Sequence, residues 1–146
     1  MRPDSWNYLL LLHVLGAMIL VGGLLTGATA LAVARGDARL LRIGYWSLLA
    51  VAMPGYIAMR IGAETLFSKE KDVAPQIEDT AWVGIGYMVA DAGAVVLLVS
   101  LIVGGIGVRK LRTGGGAGWL KATMVLSMII LAAALVAVWA MGAKPQ

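Results

Sequence analysis

An imidazole, a guanidinium and a carboxylate stand almost alone in four otherwise uncharged stretches of this chain: His13, Arg60 and Asp91. Each type brings a distinct chemistry. An imidazole relays protons or ligates a metal. A carboxylate inside a membrane carries or exchanges a proton or a cation, and a guanidinium clamps carboxylates with its planar fork of donors. Tyr56, Arg60 and Glu64 recur at four-residue steps and so share one helix face. The intramembrane polar network expected from the sequence is therefore His13, Arg60, Glu64 and Asp91. At 1.5 Å per residue, His13 lies roughly 10 Å beyond Trp6 and Asp91 roughly 13 Å beyond Trp82, so the two are nearly level if both tryptophans mark the same interface.

Other chemistries are excluded by composition. The chain has no cysteine, which removes disulfides, thiolate metal sites and iron–sulfur clusters. One histidine excludes a multi-histidine zinc or copper centre within a single chain. Met18, Met53, Met59 and Met88 offer soft sulfur to Cu(I), but methionine scattered in this way is ordinary gap filling. The glycine run from Thr113 to Gly118 lacks the Lys-Ser or Lys-Thr that completes a phosphate loop.

The elements that must position these groups are long and apolar. Trp6 to Ala34, Ile43 to Met59 and Ala122 to Ala143 carry no Lys, Arg, Asp or Glu, and Ala81 to Val108 carries only Asp91. A hydrocarbon core of about 30 Å needs about 20 helical residues, and about 17 suffice. With 60% hydrophobic and 14% charged residues and a mean hydropathy of +0.87, the chain reads as one integral membrane domain, 1–146. The expected fold is all-α: an antiparallel up-down bundle of four transmembrane helices at about 6–34, 40–62, 80–108 and 119–142. The first apolar run is longer than a signal-peptide core and is expected to be retained.

Charge orients the bundle. Arg35, Arg39 and Arg42 face only Asp37 in the first connection, and Arg109, Lys110, Arg112 and Lys121 have no acid beside them in the third. The second connection carries Glu64, Glu70, Asp72, Glu78 and Asp79 against Lys69 and Lys71. Basic short loops stay in the cytoplasm, so both termini and the acidic loop are expected outside. The basic residues cluster beside the spans, which fits lipid phosphates and topology rather than nucleic acid. Trp6, Tyr8, Tyr45, Trp46, Trp82, Trp119 and Trp139 mark span ends as interfacial aromatics do. Asp79 and Thr80 suit the N-cap of the third helix, and the Thr113–Gly118 run reads as a flexible link. On the first helix His13, Gly16, Leu20, Gly23 and Gly27 share a packing face. Pro54-Gly55 should bend or loosen the second helix and free a carbonyl one turn earlier.

The segment from His13 through Gly16, Met18, Gly22 and Gly23 to Leu24, with Pro54-Gly55-Tyr56-Ile57-Ala58-Met59-Arg60-Ile61-Gly62 and Phe67-Ser68-Lys69-Glu70, resembles a family of small bacterial four-helix membrane proteins known as a domain of unknown function. That resemblance covers about three-quarters of the chain and implies the bacterial cytoplasmic membrane. More distantly, the first helix is similar to the copper-resistance D membrane domain and to the haem-containing protoporphyrinogen oxidase of bacterial membranes. In the oxidase family a first-helix histidine ligates haem, and the matching position is His13. That family also uses a lysine in a later helix, where the interior of the third helix here offers Asp91.

Three functions from different classes stay open. A haem-type cofactor, haem b, would use His13 as ligand to iron, Gly16 and Gly23 to make room for the macrocycle and Arg60 near its propionates, with the other iron position open unless Met88, Tyr56 or a second protomer fills it. A non-catalytic subunit or assembly factor would use the polar residues to fix helix register, within a homo-oligomer or a larger membrane complex in the lipid bilayer. A transport module would carry a proton or cation on Asp91, beside the Pro-Gly break. Whether the chain is an enzyme is left open.

Overall fold

The computed structural model describes residues 4–143, the side chains of Asp4, Ser5 and Glu78 excepted. Its elements are α1 (Asp4–Val33), α2 (Ala38–Ser47), a π turn (Leu48–Ala52), α3 (Met53–Val73), α4 (Ala81–Lys110) and α5 (Ala117–Ala143), and no strand occurs among the described residues. The α2–π–α3 unit is one span, so four helical spans cross antiparallel: Trp6–Val33, Ala38–Val73, Ala81–Thr113 and Ala117–Ala143. Each is long and apolar enough to cross a bilayer. The protein is a multi-pass membrane protein, an all-α four-helix bundle.

Its outside is as apolar as its inside. Only 17–28% of each span's most apolar window is buried within the bundle, and Leu11, Leu25, Val95, Ile102, Ile129 and Val136 point outward. Such a surface belongs in lipid. The interior is built from Leu20, Leu24, Leu48, Leu97, Leu120 and Ile130.

Lipid supplies no hydrophobic drive between helices, so close backbone approach must hold α1 to the second span. Glycines make that approach along the whole contact. A Cβ on Gly62 would fall 2.6 Å from the His13 nitrogen, one on Gly16 would strike the Met59 nitrogen, and one on Gly23 would lie 2.6 Å from the Ala52 nitrogen. The Ser47 hydroxyl adds a hydrogen bond of 3.0 Å to the Gly23 carbonyl.

Pro54 explains the π turn. It has no N–H, and its ring crowds the carbonyl four residues back. The helix widens instead, and the Met53 N–H donates to the Leu48 carbonyl, five residues back. Beyond this point α3 runs to Val73, further than the expected end near residue 62. Ala63, Glu64, Leu66 and Lys69 are good helix formers, and Arg60 pairs with Glu64 one turn on. The stop comes at Ala74, pushed to φ −139° and ψ 79° by the proline that follows it.

One local expectation is corrected. Thr80 does occupy the N-cap of α4, but its hydroxyl donates backward to the Ile77 carbonyl at 2.7 Å and leaves the helix N–H groups without a side-chain cap. The glycine-rich connection takes the form of a tight turn. Gly114 and Gly116 take φ of +79° and +98°, and a Cβ on Gly116 would strike the Gly107 carbonyl.

Candidate functional site

The charged residues of the spans gather where α3 faces α4, near the end that bears the acidic connection. Four-residue spacing puts Tyr56, Arg60 and Glu64 on one face of α3, and the same spacing sets Tyr87 above Asp91 on α4. One guanidinium nitrogen, Arg60 Nη2, lies 2.8 Å from Glu64 Oε1 and 2.8 Å from Asp91 Oδ1. The Arg60 guanidinium also sits 5.1 Å from the centre of the Tyr87 ring, a cation–π contact. Tyr87 donates its hydroxyl to Glu64 Oε2 at 3.3 Å, and Tyr56 donates to the Ala90 carbonyl at 3.1 Å. Phe67 closes the acidic end, edge-on to Tyr87 with ring centres 5.2 Å apart.

These polar contacts are the main link between two helices that otherwise touch at few points. They are also open sideways. The side chain of Asp91 is 65% exposed, that of Glu64 47% and that of Arg60 27%. Asp91 lies on an outward stripe of α4 with Met88, Val95, Leu98 and Ile102, all exposed and apolar, at alternating steps of three and four. A carboxylate in that setting loses water without gaining an enclosing protein shell, which costs about 2.5–3.5 kcal/mol at mid-membrane on insertion scales.

His13 is placed differently. Its Nδ1 lies 3.0 Å from the Met59 carbonyl, and because a carbonyl only accepts, that nitrogen carries the proton. The bond ties α1 to α3 at the point where Gly62 admits the His13 backbone. The ring is thus engaged with the backbone of α3 rather than with the carboxylates.

The haem arrangement expected from the sequence needs open space over Gly16 and Gly23. That space is filled: the Met59 backbone and Gly55 carbonyl lie over Gly16, and the Ala52 backbone lies over Gly23. The residues present do not fit a macrocycle against this face. Among the described residues no group of three or more His, Cys, Asp or Glu is placed to hold a metal ion.

Two features were not singled out in the sequence. Tyr87 belongs to the charged cluster, and its position four residues before Asp91 was the available signal. Between α4 and α5, Ser100, Thr123 and Ser127 are fully buried. Thr123 Oγ1 donates to the Trp119 carbonyl at 3.0 Å and Ser127 Oγ to the Thr123 carbonyl at 2.8 Å, while Ser100 Oγ reaches both Ser127 and the Thr123 carbonyl at 3.4 Å. Lone hydroxyls in membrane helices bond to their own backbone so often that spacing alone does not mark such a network.

Compared with known proteins, the chain matches no protein-family model, no curated protein and no solved structure.

Proposed function

We propose that this protein is a membrane-embedded assembly subunit that docks a partner helix on the outward face of α4, with Asp91 as the recognition charge. One observation carries the reading: an ion-paired carboxylate within a span has two-thirds of its side chain uncovered. With both acids ionised, Arg60 offers one positive charge to Glu64 and Asp91, so the cluster carries one negative charge in excess. A helix bearing a Lys, an Arg or a strong hydrogen-bond donor at the depth of Asp91 would balance that charge and cover the stripe from Met88 to Ile102. A second copy of this chain would add another negative charge, so a basic partner fits better than self-association.

The lysine- and arginine-rich connections favour a cytoplasmic location for their end of the bundle, and the acidic end with the docking charge then lies in the outer half. The resemblance of the His13–Leu24 and Pro54–Gly62 segments supports a bacterial cytoplasmic membrane.

Photocrosslinking tests the docking face. A crosslinking residue at Met88 or Val95 in native membranes should yield one discrete adduct, with a partner that carries a basic residue within a transmembrane helix, and Asp91→Ala should abolish it. Lipid labelling alone, or an adduct indifferent to Asp91, would refute the reading. A redox-cofactor role makes a separate demand, a His13-dependent visible absorption band from purified protein, and the filled glycine face predicts none.

A further inference from the structure

At the opposite end of the bundle a second exposed feature combines charge and apolar surface. Ala38, Arg39, Arg42, Ile43, Trp46, Ser47 and Val51 line a shallow open groove of about 900 Å³ along α2 and the π turn. The order along it is directional. Arg39 and Arg42 stand one turn apart at the loop end, and Ile43, Trp46 and Val51 continue toward the bundle centre, all three exposed. Asp37 does not neutralise the arginines: its carboxylate caps α2, accepting from the Arg39 and Leu40 backbone N–H groups at 2.8 and 3.4 Å. Among the described residues neither guanidinium has an ion-pair partner. Ser47 brings no free donor, since its hydroxyl is held by the Gly23 carbonyl.

We infer that this groove is a binding site for one anionic phospholipid, its phosphate held by Arg39 and Arg42 and an acyl chain laid along Ile43, Trp46 and Val51. Charge complementarity selects the head group, because two unpaired guanidiniums at the membrane surface attract a phosphate bearing net negative charge over a zwitterionic one. The apolar run selects a lipid over a free anion, because it supplies contact area only to a chain. Trp46 has the amphipathic ring favoured at the boundary between head groups and chains. Val51, in the π turn, is the lining residue farthest along the span from the two arginines. This inference is independent of the docking face on α4.

Trp46 is also the reporter. The purified full-length protein is reconstituted in phosphatidylcholine vesicles containing phosphatidylglycerol, with brominated chains on one lipid or the other, and the Trp46 share of emission is assigned by difference from Trp46→Phe. Brominated phosphatidylglycerol should occupy the site with roughly tenfold preference over brominated phosphatidylcholine, and the preference should decline as salt rises. Arg39→Gln with Arg42→Gln should bring the two lipids to parity, Arg39→Lys with Arg42→Lys should retain the preference, and Arg112→Gln with Lys121→Gln should leave it intact. Equal quenching of the Trp46 emission by the two lipids in the unaltered protein would overturn the inference whether or not the arginine variants fold. So would a preference that survives loss of both arginines, or one erased by inorganic phosphate alone at matched ionic strength.

Discussion

Helix α4 carries two polar sites, and they solve the same problem in opposite ways. Toward its end, Ser100 meets Thr123 and Ser127 of α5 in a neutral hydroxyl network with no exposed surface and every buried side-chain donor and acceptor matched. Nearer its start, Asp91 meets Arg60 of α3 in an ionic cluster that is open to the side and unequal in charge. A closed, neutral, satisfied network fixes helix register and asks for nothing more. An open cluster with a charge in excess leaves a carboxylate uncovered, the basis of the docking role proposed for Asp91. Under that proposal the contrast separates glue from recognition on a single helix, and it can be broken experimentally from either side.

The largest effect is expected from Arg60→Ala. It leaves Glu64 and Asp91 facing each other without their shared cation, and a stability loss of about 3 kcal/mol should appear in detergent unfolding followed by circular dichroism. Thr123→Val keeps the shape of the buried network but removes the hydroxyl that donates to the Ser100 and Trp119 carbonyls. Interhelical hydrogen bonds in membranes contribute modestly, so a loss of about 1 kcal/mol is expected in the same assay, with crosslinking from Met88 unchanged. Asp91→Asn should be the mildest for the fold, under about 0.5 kcal/mol, because Arg60 keeps Glu64 and the lost ion pair is offset by leaving a neutral amide rather than a carboxylate against lipid. Yet it should weaken the partner adduct strongly. If Asp91→Asn instead destabilises the fold more than Thr123→Val, the ionic cluster is glue as well, and the distinction between the two sites fails.

The four spans were legible because uncharged runs of this length leave a chain few alternatives to crossing a bilayer. The glycine face of α1 was legible for a related reason: small residues at three- and four-residue steps serve backbone contact. The placement of the polar groups was less so. Depth along each helix follows from residue counting, and it put His13, Arg60 and Asp91 in one half of the membrane. Rotation about each helix axis does not follow from counting. It sends the His13 ring to the Met59 carbonyl and Asp91 to an outward stripe. The π turn was hidden as well, although Pro54 announced some disturbance. Whether a proline kinks a helix, breaks it or widens one turn depends on what packs against it, here the backbone of α1 at Gly23.

That widened turn makes the second span sensitive to length. One extra residue per turn resets the angular phase of all that follows by about 100°. Removing a single residue between Leu48 and Ala52 would leave the composition and hydropathy of the span almost untouched. It would let the turn close to ordinary α geometry with Tyr56, Arg60 and Glu64 still facing Asp91, whereas the same deletion in the regular turns of α2 would swing them about 100° around the helix axis and dismantle the cluster while the span still crossed the bilayer.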